Sequence, residues 1–503
     1  MIRCHLIGNY LRNRPLFCVS RLPYFRPKCI VSRGFASLVP VEEFSRRRLA
    51  LATELGRYVS RTSNTSSKHL LIFPASEVQY MAYHVPYPFH QDSNFLYFTG
   101  FLEANAVFAL TVLVEPSQNR LEPQILHQEH LFVEVRSPHA ELWDGPTLGI
   151  DNSIHCTGIR SVHDLQDFSQ FLDANHSDTV IWYSHLVQRP TESQTPNKFV
   201  LSEVLKLQRR TQKSAREIKN PEPIVDNLRL IKSPTEVNLL RKAAAVTSDC
   251  IMATMRFSRP GMSELGLLGV LECEARLHGS SLGYPPVIAG GSRAHIIHYL
   301  KNDQILNSGD LVLVDCGCRY GGYTADITRT WPVNGHFSPV QRVLHGILEE
   351  TQNTCAKAAS PDLSLQDVHQ IMLTELERHL ISEHIIPSKD SKMLVQKICP
   401  HSVGHFLGLD VHDTPTVPST RLLSPGVVFP LEPGLYMRPE LKALGVSAEF
   451  LGHGLRLEDD FVMSAAGVPV RLTNELPTES RQLEKIIQHG FKGDLKTHSA
   501  VMT

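Results

Sequence analysis

One stretch constrains this chain more than any other. In residues 311–335, LVLVDCGCRYGGYTADITRTWPVNG, an apolar run closes on Asp315, and a second carboxylate, Asp326, follows within the same strand-like segment. A buried carboxylate without a partner is costly, so each of these acids requires one. The partner is a pair of cations, a pair of basic side chains, or water at a sheet edge.

The sequence downstream supplies the groups that decide among these. PHSVGHFLGLDVHD (400–413) clusters His401, His405 and His412; FPLEPGLY (429–436) brings Glu432; GHGLRLEDD (452–460) brings Glu458. Taken singly, each acid reads as a helix cap, a turn residue or an ion-pair partner, with Arg329, Arg456 and His298 as basic candidates. Taken together, Asp315, Asp326, His405, Glu432 and Glu458 form four carboxylates and one imidazole in one half of the chain. Hard oxygen donors with a single nitrogen suit Mn²⁺, Co²⁺ or Zn²⁺. Four clustered carboxylates do not stay ionised without cations, because each raises the others' pKa. Two divalent ions about 3.5–4 Å apart remove that conflict and lower the pKa of a water between them, which is hydrolytic chemistry.

At 503 residues the chain exceeds one core, and length predicts two to three domains. Residues 41–58 carry helical spacing, and 61–69 read as a loop. The apolar runs at 70–73, 94–101, 106–114, 131–135 and 180–183 predict an α/β domain on a sheet of short strands. The basic, polar segment 205–223 reads as a linker. Ser233-Pro234-Thr235-Glu236 is a capping box with proline at the first helical turn, so a helix starts there. Strand-like runs follow near 311–315, 326–333, 427–432 and 455–463, and the last forty residues read as a helix and a frayed tail.

The net charge of −1 argues against a nucleic-acid footprint over the whole chain, and the sequence has no eighteen-residue apolar run for a membrane span. Residues 1–35 hold seven Arg and Lys and no acid, the composition of a mitochondrial presequence. Its removal shifts the net charge from −1 to −8. The alternative is a basic arm that meets an acidic surface. Seven cysteines lie beyond it (Cys156, Cys250, Cys273, Cys316, Cys318, Cys355 and Cys399), an odd number without a CxxC pair. That pattern fits free thiols in a reducing compartment.

LRLIKSPTEV (228–237), YPPVIAGGSR (284–293), VDCGCRYGGYTADITRTWPVNG (314–335), PHSVGHFLGLDVHDTP (400–415), LEPGLY (431–436) and LRLEDD (455–460) together resemble the aminopeptidase P and prolidase branch of the pita-bread metallopeptidases. FHQDSNFLYFTGF (89–101) and ELWDGP (141–146) match that branch specifically, and the resemblance extends to its mitochondrial members, which include the intermediate cleaving peptidases. The resemblance implies an α+β architecture: an N-terminal α/β domain with a mixed sheet over 36–220, a pita-bread catalytic domain over 221–480 and a tail over 481–503. It implies two divalent metal ions, with manganese the expected one. Asp315 would bind one ion, His405 and Glu432 the other, and Asp326 and Glu458 both. A hydroxide would attack the carbonyl preceding proline, with Glu432 moving its proton. His298 would lie beside the scissile bond, His412 would meet the carbonyl oxygen, His401 would line the proline pocket, and Arg456 would orient the acids.

Expected substrates are peptide or protein N-termini with proline second, in the mitochondrial matrix, and the expected assembly is a homodimer. Cleavage after Gly34 exposes Phe35, whose removal leaves Ala36, so the chain carries the kind of end that intermediate cleaving peptidases trim. Thr147 stands where close relatives have arginine, Pro430 occupies a strand position before Glu432, where it suggests local irregularity, and His453 replaces an apolar residue near Arg456. A dipeptide-specific prolidase keeps the same ligands; a catalytically silent scaffold or a metal-free creatinase-like enzyme typically loses them.

Overall fold

Several helix starts in this protein follow capping residues: the side chains of Asp92, Ser137, Ser233, Ser263, Ser338 and Ser364 each accept a backbone N–H of the first turn. The computed structural model describes residues 38–62, 65–115, 123–175, 179–184, 197–210 and 218–493, so the presequence expected over 1–35 and its expected cleavage site lie outside the described residues. In the N-terminal domain, α1 (Val41–Thr62) precedes β1 (Ser67–Pro74), the hairpin β2 (Tyr80–Ala82) and β3 (Val85–Pro86), α2 (Ser93–Thr99), β4 (Val107–Glu115) and β5 (Gln124–Val133). Then come α3 (Pro138–Asp144), α4 (Gly149–Thr157), β6 (Ser161–Asp164), α5 (Phe168–Ala174), β7 (Thr179–Trp182), α6 (Lys198–Arg210) and β8 (Ile218–Lys219). The six-stranded sheet runs β6-β5-β4-β1-β7-β8 and is mixed: β4 pairs antiparallel with β1 and β5, while β7 lies parallel to β1.

Two expectations are corrected here. The apolar run 94–101 is a helix, not a strand. The Asp92 side chain accepts from Phe95 N–H at its start, and Gly100 turns left-handed at its end, so cap and stop override strand-like composition. The linker expected over 205–223 is mostly regular where described. Residues 198–210 are α6, and Ile218–Lys219 form the sheet's outer strand.

The C-terminal domain opens with α7 (Glu222–Leu230) and α8 (Pro234–Phe257), where the Ser233–Glu236 capping box forms as read. It continues through α9 (Glu264–Leu277), β9 (Ser281–Leu282), β10 (Val287–Gly290), β11 (Leu311–Cys316), β12 (Cys318–Tyr320), β13 (Tyr323–Thr324) and β14 (Ile327–Pro332). The helices α10 (Pro339–Ala358), α11 (Leu365–Ser382) and α12 (Ser391–Ile398) come before β15 (Val428–Leu431), β16 (Gly434–Tyr436), β17 (Gly454–Arg456), β18 (Asp459–Met463), β19 (Pro469–Arg471) and α13 (Ser480–Gly493). Small antiparallel sheets, β10-β11-β14, β15-β18-β19 and β16-β17, meet around Asp315 and Glu458, with helices outside. Residues 481–493, expected as tail, belong to α13, whose Leu483 and Ile487 are fully buried.

Pro430 does not disturb its strand: β15 pairs with β18 without a break, Pro430 opposite Asp460. The carbonyl of Val428 and the N–H of Glu432 point away from β18, to Leu407 and Val403. By alternation the missing N–H of Pro430 lies on that same outer side, where the β15–β18 ladder needs no donor. One apolar core crosses the domain boundary, joining Phe95 and Leu96 of α2 to Leu239 of α8 and to Leu407 and Leu409.

Candidate active site

Five sequence-distant donors converge where the small sheets meet. Asp315 sits near the end of β11, opposite Thr328 of β14, and Asp326 immediately precedes β14. Glu432 follows β15, Glu458 lies between β17 and β18, and His405 comes from the 399–427 loop. Asp326 Oδ2 is 3.2 Å from His405 Nε2, and Glu432 Oε1 is 4.0 Å from the same nitrogen. Donor atoms of Asp326, His405 and Glu458 all fall within 4.8 Å of one another. Close backbone approach makes this possible: a Cβ on Gly404 would sit 2.1 Å from Pro430 O, and one on Gly317 1.7 Å from Ala325 O.

The protonation pattern tests whether cations suit the site. The Tyr284 hydroxyl is 2.7 Å from Asp315 Oδ1 and 2.5 Å from Asp326 Oδ1. A phenol has one proton, so one of these contacts lacks a hydrogen unless a carboxyl is protonated. Burial and neighbouring acids raise the pKa of Asp315 and Glu458, and burial pushes Glu432 up to about 7. Asp460 Oδ1, fully buried beside them, has no hydrogen-bond partner among the described residues, and burial and Asp326 raise this group as well. The centre is therefore short of positive charge, and the donor set fits divalent metal ions.

His405 is oriented for a cation. Its Nδ1 donates to Phe406 O at 3.1 Å, which leaves Nε2 facing Asp326 and Glu432. Burial opposes charge on this imidazole, but Asp326 and Glu432 outweigh it and raise its pKa to about 9, so a proton competes for the ligand position. Arg456 binds Asp315 Oδ2, donates to the Tyr436 hydroxyl at 2.8 Å, and lies 3.9 Å from Glu458. Thr328 donates to Glu458 at 2.6 Å.

His401 Nδ1 donates to Ser402 O at 2.8 Å, and its Nε2 lies 3.0 Å from the Tyr436 hydroxyl. Burial and Arg456 lower its pKa to about 4, so the ring is neutral. His412 stands edge-on to His405 with ring centroids 4.5 Å apart, and burial and that neighbour lower its pKa. His298, on the exposed loop after β10, is near enough to bias both His401 and His412 electrostatically. Asp315, Asp326, His405, Glu432, Glu458, Arg456, His401 and His412 thus gather around one centre, whereas His298 bears on it only electrostatically and Arg329 pairs with Asp459 at 2.6 Å. His453 does not join them; it lies beside His295. Four contributors escaped the sequence reading: Tyr284, Thr328, Tyr436 and Asp460. Three of them stand inside the quoted motifs within four residues of a predicted ligand, and Tyr284 opens a quoted motif of its own.

Such a centre, in sheets wrapped by helices behind a separate α/β domain, defines a metallopeptidase. Residues 238–465 match the model for metallopeptidase family M24, and 44–182 match the aminopeptidase P N-terminal domain. Xaa-Pro aminopeptidase 3 of Rattus norvegicus is 36% identical over 448 residues, covering 88% of this chain and 85% of the relative. Intermediate cleaving peptidase 55, mitochondrial, of Arabidopsis thaliana is 30% identical, covering 86% and 82%. Among solved structures, aminopeptidase P from E. coli with the inhibitor Pro-Leu superposes with a TM-score of 0.76 at 29% identity, covering 90% of this chain and 99% of that one. The chain belongs to the aminopeptidase P branch of the M24 metallopeptidases, and is a metalloaminopeptidase.

Proposed function

We propose that this protein releases the N-terminal residue from peptides with proline in second position, using two divalent ions held by Asp315, Asp326, His405, Glu432 and Glu458. The observation that carries this reading is the converged donor set, short of positive charge, with the Nε2 of His405 turned toward Asp326 and Glu432. Cations bound there would supply Lewis acidity and a water acidic enough to act near neutral pH. The protein's own groups do the rest. Glu432 holds and releases a proton at its carboxyl oxygens. His412 donates to the carbonyl oxygen as charge develops on it, and His298 contacts the substrate side of the scissile bond. Neutral His401, fixed by Ser402 and Tyr436, lines the space for the proline ring. That ring is compact and brings no N–H, so its pocket needs no acceptor. Arg456 holds Asp315 and Glu458 in place.

Manganese is the expected ion, and the matrix the expected compartment after loss of residues 1–35; the mitochondrial name of the Arabidopsis relative supports the location. An exposed apolar hairpin bearing Tyr80, Met81, Tyr83 and Val85 supports a homodimer, which light scattering would read as twice the chain mass. Protein starting at Ala36 would be stripped of metal and assayed on Xaa-Pro-Pro peptides with and without Mn²⁺. Metal-dependent release of the first residue supports the reading, and cleavage of dipeptides alone would make the enzyme a prolidase. For self-trimming, identical Ala36 ends in wild type and in Asp326→Asn would defeat the idea.

A further inference from the structure

The motif FHQDSNFLYFTGF lies in the N-terminal domain, and none of its residues belongs to the catalytic set. Its first half nevertheless touches the loop that carries His412. Ser93 donates to Asp410 Oδ1 at 2.6 Å. Asn94 Oδ1 accepts from Arg229 at 2.7 Å, and the other end of that guanidinium reaches Asp410 Oδ2 at 2.9 Å and also Asp413. Lys232 binds the second oxygen of Asp413 at 3.0 Å. Arg319 of β12 donates to the His90 ring and, through its other nitrogen, to Leu409 O at 3.0 Å. Leu407 and Leu409 share an apolar core with Phe95 and Leu96. Three kinds of contact therefore run from residues 90–96 to the segment 407–413.

We propose that residues His90–Asn94 form a positioning element for His412, so that the N-terminal domain sets the placement of the group that meets the substrate carbonyl. The inference rests on the catalytic role given to His412 above. Charged hydrogen bonds hold Asp410 and Asp413 on either side of that histidine, and misplacement by about 1 Å can cost on the order of 10²-fold in rate. His405 has its own contacts in the catalytic domain: its Nδ1 donates to Phe406 O at 3.1 Å, and Leu407 N–H donates to Val428 O at 3.0 Å. Disturbing Ser93 therefore leaves the metal ligand in place.

The test uses the full chain loaded with Mn²⁺ and the variants Ser93→Ala and His90→Ala, with Ser161→Ala on the far edge of the N-terminal sheet as control. Amide hydrogen exchange over 406–413, kcat and KM on an Xaa-Pro-Pro tripeptide, and bound metal are measured in wild-type and His412→Ala backgrounds. Expected are at least about tenfold faster exchange over 406–413, a kcat lowered about five- to tenfold, KM within about twofold and full metal content. In the His412→Ala background the same changes should cost less than about twofold in kcat, as residues acting as a unit do. Unchanged exchange, metal loss, or an equal kcat penalty in both backgrounds would overturn the proposal. If His412→Ala keeps wild-type kcat, the role of His412 falls, and exchange over the loop then decides the positioning claim alone. Should Ser93→Ala not fold, His90→Ala, whose side chain is exposed, carries the same readouts.

Discussion

The N-terminal sheet and the catalytic centre are both buried, but their burial is of opposite kinds. On one face of the sheet, Phe132, Leu70, Ile72 and Val107 pack with Phe168 of α5, and burial of apolar surface stabilises them. The buried His69 there is neutral and satisfied: Trp182 Nε1–H donates to its Nδ1 at 3.1 Å, and its Nε2 faces Ser67 at 2.9 Å. The centre instead encloses Asp315, Asp326, Glu432, Glu458 and Asp460, with Arg456 in direct contact with the first. One region is complete as folded. The other is arranged for a charge that the chain does not supply, and part of its folding free energy is therefore coupled to ligand concentration.

The sharpest way to break this contrast is Asp326→Asn. Loss of one ligand should lower kcat/KM by on the order of 10³-fold and reduce bound metal, read by metal analysis after dialysis, with the N-terminal sheet unaffected. Next, His412→Ala should lower kcat by about 10²-fold with metal content unchanged, which separates carbonyl stabilisation from ion binding. On the other side of the comparison, Phe132→Ala should cost about 3–5 kcal/mol in denaturant unfolding, with no dependence on added Mn²⁺. Glu458→Gln removes one of the mutually repelling buried acids. It should raise the melting temperature of metal-stripped protein by a few degrees while abolishing the further rise on adding Mn²⁺; a drop in the stripped protein would show that the acid cluster is not frustrated.

The smallest expected effect is acid sensitivity of the sheet. Burial and Lys219 depress His69 to about 4, below its ordinary 6.5, so its contribution is fully present above 6.5 and is lost as pH falls toward 4. Protonation would place a hydrogen on Nδ1 facing the Trp182 donor. A His69→Gln variant should flatten the melting profile between pH 6.5 and 5, and an unchanged slope would assign the acid loss elsewhere.

Three of the candidate ligands, Asp315, Glu432 and Glu458, stood out because each follows a short apolar run, a local pattern that survives in one dimension, whereas Asp326 and His405 stood out only through the motifs around them. The capping box at Ser233 was legible for the same reason. What the sequence hid was contact across distance. Tyr284 looks like any tyrosine before prolines until β10 and β11 align it with two aspartates, and Asp460 looks like the second acid of a surface pair until β18 buries it opposite Pro430. The segment 94–101 misled because its composition is strand-like, while the information that makes it a helix sits at its ends, in Asp92 and Gly100.

Pro430 has a further consequence, at the edge of its sheet. β15 is the outer strand of its sheet, and its free side is covered only when the loop bearing His405 docks and Leu407 and Glu432 form their bonds across it. Before that moment the strand is an open edge, the kind of template on which nascent chains pair with one another. A residue without an N–H in its middle interrupts that template at no expense to the finished sheet. The proline two residues before Glu432 thus withholds one backbone donor from that edge.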